Sequence, residues 1–295
     1  SSAASDVYKR QSLDKRVDDF LIGELYKNED VFIITPNHDY YKSLFQKKQN
    51  KGLIQNWNST GLIHKEIKAL RVDDYMKLEK RLPLGIYDFP NLEYLEIPSH
   101  MVKQIEWKNF KSLKVLISIG ANLIFKEEDK LLNLMHIYLN SGTLRFLQKN
   151  LPSLKSVGCK YTNTVMTELY KYKVMDNVMY SNANENIFEK LSQLEMLRKL
   201  DIVRGKIDSI AGIATIKGLE SLQLALLPNL YQLEELIEIP TLEKLFINTC
   251  KNIASWEFLL ELKSLKQLVL FANGNNNPNK EITEALRKKG ITGIY

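Results

Sequence analysis

The chain has 295 residues, of which 44% are apolar and 26% are charged, and 41 Lys and Arg face 35 Asp and Glu. A net charge of +6, mixed along a chain of this length, is typical of an ordinary protein surface and does not call for a nucleic-acid partner. Apolar runs fall short of the ~18–20 residues that cross a bilayer, so no membrane span is expected.

The first eleven residues, SSAASDVYKRQ, look foreign to the rest of the chain. They resemble a translated sequencing-adapter fragment, and we therefore exclude residues 1–11 from fold reasoning, as one would a tag. If the start is artefactual, the native N-terminus is missing. We expect a cytoplasmic protein, with a lost signal peptide as the open alternative.

Residues 12–61 combine helical and β-rich patterns. Apolar residues recur at helical spacing over 12–30, the run VFIIT covers 31–35, and a second helix is predicted over 39–49. A polar connection anchored by Trp57 follows. A repeat array needs a polar-faced cap at its ends, so we predict that 12–61 form an N-terminal α/β cap. A remnant of a catalytic or effector domain is the alternative, because a plain cap does not require a βα unit.

A short repeat organises the rest of the chain. The stretch LRKLDIVRGKI (197–207) has the skeleton LxxLxLxxNxL, a short strand followed by a turn. Ten apolar residues at relative position 4 mark the recurrence: Leu70, Leu95, Leu116, Ile137, Val157, Val178, Leu200, Leu222, Leu245 and Leu268. Their mean spacing is about 22 residues, inside the ~20–29 range of leucine-rich repeats. We predict an α/β solenoid over 62–272, a leucine-rich-repeat horseshoe of about ten repeats with a concave parallel β-sheet.

The segments between strands are short. Isoleucines every three residues over 207–216, and the apolar residues of 253–260, favour 3₁₀ turns, whereas 125–135 and 186–197 favour one or two helical turns. After the last repeat, 273–279 are a predicted loop, 281–289 a helix ended by Gly290, and 291–295 a strand. Residues 273–295 are therefore a predicted C-terminal helix–strand cap.

This short-repeat pattern resembles the internalin-like bacterial leucine-rich-repeat proteins over about residues 62–295. The resemblance implies the solenoid scaffold. It implies little about function, because the family is defined by its scaffold.

Side chains alternate along a strand, so repeat positions 4 and 6 point into the core while 3, 5 and 7 form an outward face, predicted to be concave. Two apolar patches lie there. The first patch comprises Tyr94, Val115, Ile117, Ile119, His136 and Tyr138 and continues toward Met179; the second patch comprises Phe246, Val269 and Phe271. Exposed apolar clusters rimmed by polar residues are typical of protein-binding surfaces. Alternatively, loops or the terminal segments cover them.

These patches give the functional prediction, a non-enzymatic protein–protein interaction module that binds a protein partner on its concave face. The predicted partner-binding residues are Tyr94, Glu96, Val115, Ile117, Ile119, His136, Tyr138, Lys160, Met179, Lys199, Asp201, Phe246 and Phe271. A monomer is expected. Two alternatives stay open, the targeting arm of an effector or enzyme whose catalytic part is N-terminal or lost, and an immunity or antitoxin-type protein that blocks a toxin.

The sequence contains few candidates for catalytic, metal-binding or phosphate-binding residues. Cys159 and Cys250 occupy repeat positions 6 and 9 and are predicted to be buried free thiols. The four histidines lack metal-ligand spacing, and phosphate-binding glycine motifs are missing from the sequence. The basic run 46–51 is predicted to be a solvated helix end. We therefore predict no catalytic residue, no metal, no cofactor and no nucleic-acid partner.

Overall fold

The computed structural model describes residues 32–36, 54–61, 63–74, 77–184, 187–274 and 276–293. The chain divides into two compact units: unit 1 is residues 1–118 with 129–138, and unit 2 is residues 119–128 with 139–295. The predictions for 1–11, for the helices over 12–30 and 39–49 and for the basic run 46–51 lie outside the described residues.

The strands are short and parallel within each unit. Those of unit 1 are β1 (Phe32–Thr35), β2 (Ile54–Asn56), β3 (Ala69–Val72), β4 (Tyr94–Glu96), β5 (Val115–Ile117) and β7 (His136–Tyr138), in the spatial order β7-β5-β4-β3-β1-β2. Those of unit 2 are β6 (Asn122–Ile124) and β8 (Thr143–Arg145), which pair with each other, and β9 (Ser156–Lys160), β10 (Asn177–Ala183), β11 (Lys199–Gly205), β12 (Ser221–Ala225), β13 (Lys244–Asn248) and β14 (Gln267–Phe271), which lie side by side in chain order.

The marker residues form continuous inward columns. In unit 1, Leu70, Leu95, Leu116 and Ile137 are successive register partners, and in unit 2 the column runs through Val157, Val178, Leu200, Leu222, Leu245 and Leu268. All ten side chains are fully buried. Each fully buried aliphatic side chain stabilises the fold by about 1.5–3 kcal/mol relative to exposure. The predicted leucine-rich-repeat solenoid is confirmed.

Position 9 turns the chain back under each strand. Asn273 accepts a hydrogen bond at Oδ1 from the backbone N–H of Cys250 (2.9 Å) and donates from Nδ2 to the carbonyl of Ile247 (3.3 Å). At the same position, an added Cβ on Gly205 would lie 2.1 Å from the carbonyl oxygen of Ala183. Position 9 is thus a hydrogen-bonding side chain at Asn273 and a glycine at Gly205, whereas Ala183 and Leu227 fill the same position with buried apolar side chains.

The connecting segments follow most of the sequence expectations. Three-ten turns occupy Leu84–Tyr87, Val102–Gln104, Trp107–Asn109, Gln148–Asn150, Ile213–Thr215, Glu234–Glu238 and Glu257–Leu260, and α-helices occupy α1 (Asn163–Leu169), α2 (Phe188–Leu191) and α3 (Lys280–Lys288). The helical turn predicted over 125–135 is wrong, because those residues form turns. Helix α1 was not predicted; Thr162 caps it by accepting the N–H of Val165.

Helix α3 matches its prediction. Asn279 caps it by accepting the N–H of Ile282 (2.9 Å), and Gly290 follows it with a left-handed φ of +78°. Of the strand predicted after it, Thr292 bridges to Gln267 of β14. Across the described ranges, every helix is too short or too polar to cross a bilayer.

Candidate functional site

The outward face of unit 1 is buried. Tyr94 is 7% exposed, Ile117 2% and Tyr138 4%, and Val115 is fully buried. These residues belong to the first patch, and the expectation that this patch is an exposed cluster is wrong for them. These side chains therefore offer almost no surface to a partner in this structure.

The remaining members of the first patch differ in exposure. His136 in unit 1 is half-buried. In unit 2, Ile119 is half-buried, whereas Met179 is only 3% exposed, so the expectation of an exposed side chain is wrong for Met179 as well. Their predicted role in binding stays a prediction.

Glu96 holds together the polar part of the unit 1 face. Its Oε2 lies 2.6 Å from Nε of Arg71 and accepts a hydrogen bond from the hydroxyl of Tyr94 (3.3 Å). The Glu96 side chain is only 8% exposed, so this ion pair lies in a partly desolvated setting. Glu96 was predicted to be an exposed partner-binding residue, but its carboxylate is buried and engaged within the fold, so the expectation of exposure is wrong.

The outward face of β11–β14 in unit 2 is accessible. Phe271 on β14 is 65% exposed, and Phe246 and Val269 are half-buried. Phe246 is the register partner of Val269, and Phe271 follows Val269 by two residues on the same face. Helix α3 buries Ile282 and Leu286 and packs against the turn Glu257–Leu260, so it does not cover Phe271. The second patch is a contiguous surface of three side chains.

Charged residues accompany the second patch. Lys199 and Lys244, at position 3 of β11 and β13, are both exposed, and Asp201 on β11 is half-buried. Lys160, at the end of β9, is exposed as well. The neighbouring position 2 cations behave differently: Arg198 pairs with Glu220 at 3.3 Å and Lys266 with Glu243 at 2.6 Å. The position 3 lysines have no salt bridge to a described carboxylate.

Sequence reasoning missed the residues at position 8, directly after each strand. Five successive repeats of unit 2 place a non-glycine residue there with φ between +54° and +60°: Asn182, Arg204, Leu226, Thr249 and Ala272. The left-handed bend returns the chain toward position 9, and the N–H of Leu226 still donates to the carbonyl of Asn248 (2.8 Å). Arg204, Leu226 and Ala272 are exposed beside the outward face. The spacing alone, one residue beyond position 7, could have located them.

Both cysteines are buried free thiols, as predicted. Burial raises the pKa of the Cys159 thiol to about 12. Burial also raises the pKa of Cys250, and hydrogen bonds with the backbone of Leu227 and Asn248 partly oppose the rise. A buried, protonated thiol is a poor nucleophile and a poor metal ligand. These two residues therefore serve packing.

Other polar groups have structural partners. Asp74, which is buried, accepts the backbone N–H groups of Leu78 (2.8 Å) and Glu79 (2.9 Å), and His100 lies 3.3 Å from its Oδ2. Within the described part of the chain, no three histidine, cysteine, aspartate or glutamate side chains converge as metal ligands. His38 lies outside the described residues.

A shallow cavity of about 300 Å³ lies in unit 2, lined by Ser209, Ile210, Ala211, Gln232, Glu234 and Glu235. The Glu235 carboxylate in its wall accepts the backbone N–H groups of Gly212 (2.9 Å) and Ala214 (3.1 Å). The oxygens of the Glu235 carboxylate are therefore occupied by hydrogen bonds from the backbone at the Ile213–Thr215 turn. In the same wall, the hydroxyl of Ser209 accepts the N–H of Ala211 (3.0 Å) and the carboxylate of Glu234 accepts the N–H of Leu233 (3.0 Å).

Comparison with known proteins supports the fold. An internalin (InlF) of Listeria monocytogenes is similar in structure, with a TM-score of 0.54 at 16% identity over 82% of this chain and 78% of that protein. Weaker similarities are to TLR13 in a complex with ssRNA13 (TM-score 0.45, 14% identity, 88% and 52% coverage) and to the plant peptide hormone receptor RGFR1 in complex with RGF2 (0.41, 14%, 83% and 43%). Protein-family models and curated proteins give no match.

Proposed function

We propose that this chain is a non-enzymatic binding module that captures a protein partner on the outward face of β11–β14. The observation that carries the proposal is the exposure of Phe271, 65% of whose surface is open on a sheet face beside Phe246 and Val269. Aromatic side chains with apolar neighbours are the usual anchors of protein interfaces, because desolvating them supplies most of the binding free energy.

The chemistry of the described residues also favours binding over catalysis. The cysteines are buried, and the carboxylates of Asp74 and Glu235 are each engaged by backbone N–H groups. A nucleophile needs an adjacent base and exposure to substrate. The outward face of β11–β14 instead combines aromatic, amide and cationic groups, a composition suited to recognition.

The strands before the first repeat favour a cap over a separate effector domain. β1 pairs in parallel with β3, and β2 pairs in parallel with β1, so both extend the sheet of unit 1. A domain that acted on its own would need a core separate from the repeats. We therefore propose that β1 and β2 belong to the predicted N-terminal cap of the repeats and not to a separate domain.

The test is selection of binding peptides. The full chain is used as bait against a displayed random library of peptides of about 12 residues, and recovered peptides are titrated against variants. Phe246→Ala with Phe271→Ala should weaken binding at least about tenfold, since each lost aromatic anchor costs roughly 1–2 kcal/mol or more.

The matched control is Tyr231→Ala, which removes another exposed aromatic side chain from unit 2 away from the strands. It should leave the dissociation constant unchanged. If selection recovered no binders, or if binders tolerated the double substitution while responding to Tyr231→Ala, the outward face of β11–β14 would not be the binding surface.

A further inference from the structure

The charges beside the second patch identify the chemistry of the partner. Positions 3, 5, 7 and 8 of β11–β14 carry three basic residues, Lys199, Arg204 and Lys244, and one acidic residue, Asp201. All three basic side chains are exposed, whereas Asp201 is half-buried. The face therefore presents a net positive charge next to an apolar surface.

These cations form no salt bridge with a described carboxylate; burial raises the pKa of Asp176, and the nearby charge of Lys199 partly opposes that rise. Glu220 and Glu243, the carboxylates that precede β12 and β13, already pair with Arg198 and Lys266. Among the described residues, no salt bridge reaches Lys199, Arg204 or Lys244. An exposed charge without a partner keeps its full attraction for an incoming group of opposite sign.

The spacing of residues along β13 places the charge of Lys244 beside the apolar anchor Phe246. Lys244 and Phe246 are two residues apart on β13, so their side chains leave the same face about 7 Å apart. Val269 adjoins Phe246 across the strand pair at about 4.8 Å. A bound segment that placed an aliphatic or aromatic side chain on Phe246, Val269 and Phe271 would hold its neighbouring residue near the Lys244 ammonium.

From this arrangement we infer that the partner is an acidic protein segment, in which Asp or Glu residues flank an apolar anchor. The inference rests on the proposed function, since it concerns the same surface. A protein segment fits better than a nucleic acid, because three separated cations to one side of an apolar surface do not form the continuous basic track that a phosphate backbone requires.

The test uses three synthetic libraries of peptides of about 12 residues that share randomised apolar and aromatic positions. They differ only in whether the charged positions hold Asp and Glu, Lys and Arg, or Ser. The full chain should retain peptides from the acidic library with affinities at least about tenfold higher than from the other two, and this advantage should shrink as salt rises from 50 to 500 mM.

Charge reversal separates this inference from the proposed function. Lys199→Glu with Lys244→Glu should abolish the preference for acidic peptides, whereas Lys263→Glu with Lys288→Glu, at exposed sites outside the outward face, should preserve it. Phe271→Ala should weaken peptides of all three libraries. If Phe271→Ala weakened binding but the acidic library had no advantage, the inference would fail and the proposed function would stand.

Binding of a nucleic acid is measured as the remaining comparison. A fluorescein-labelled oligouridylate should bind weakly and should not displace an acidic peptide. Tight binding of this RNA that the double charge reversal removed would overturn the inference in favour of a nucleic-acid partner. If the unmodified chain bound no peptide from any of the three libraries, the proposed function and the inference would both be overturned.

Discussion

The outward faces of the two units differ in exposure although the units share one repeat pattern. On β4, β5 and β7 of unit 1, the outward side chains Tyr94, Ile117 and Tyr138 are buried, whereas on β13 and β14 of unit 2 Phe246 and Phe271 are accessible. The inward columns of both units are equally buried. The repeat register therefore determines which residues enter the core, and it does not determine whether the opposite face meets solvent.

Polar groups show the same contrast. In unit 1, Glu96 is buried and bound by Arg71 and Tyr94. In unit 2, Lys199 and Lys244 are exposed on the face itself. A charge is stable in a covered surface only when it is paired, while an accessible surface tolerates unpaired charge at little cost. In each unit, whether the charged residues are paired thus indicates whether its outward face is open to solvent.

The largest predicted effect compares position 5 on β5 and β14. Ile117→Ala should lower the free energy of unfolding by about 2–4 kcal/mol, because it removes buried methyl groups and leaves a cavity. The matched change Val269→Ala, at the same repeat position on a half-buried side chain, should cost under about 1 kcal/mol. Urea denaturation followed by circular dichroism measures both. Equal losses would show that the two strands do not differ in burial.

The second prediction concerns the buried ion pair. Glu96→Gln should cost about 2 kcal/mol, since it leaves the Arg71 guanidinium without its carboxylate in a site where water replaces the contact poorly. The control is Glu243→Gln, which breaks the more exposed pair with Lys266 and should cost under about 0.5 kcal/mol. Thermal and urea denaturation measure both losses of unfolding free energy. If the two losses were similar, the two ion pairs would lie in equally exposed environments, and the contrast between the units would be contradicted.

The inward columns could be predicted from the sequence because they depend on local alternation. Every marker from Leu70 to Leu268 lies in a strand and is buried, and both Cys159 and Cys250 follow the register. A one-residue shift would expose the whole column, so the apolar pattern specifies the register strongly. The same local signal located the turns Ile213–Thr215 and Glu257–Leu260.

Exposure of the outward face could not be predicted in the same way. The strands VLI (115–117) and QLVLF (267–271) both have apolar residues on both faces, yet Ile117 is buried and Phe271 is exposed. A continuous apolar run is typical of a strand covered on both sides, but the run is present in both strands and does not distinguish the covered one from the open one. The left-handed residues at position 8 were missed for a different reason, since Arg204 and Leu226 have no local preference for that conformation.

The smallest predicted effect concerns that left-handed bend at the border of the accessible face. Thr249 has a φ of +55°, which is strained for a β-branched side chain. Asn182 adopts φ +59° at the same position of another repeat, and Asn tolerates the left-handed region well. Thr249→Asn should therefore raise the free energy of unfolding by about 0.5–1 kcal/mol. Thr249→Val keeps the β-branch and should give no gain. If Thr249→Asn destabilised the chain as measured by urea denaturation, the contact of the Thr249 hydroxyl with Asn248 Oδ1 (2.7 Å) would outweigh the backbone strain, and position 8 would be set by side-chain hydrogen bonding instead of by conformation.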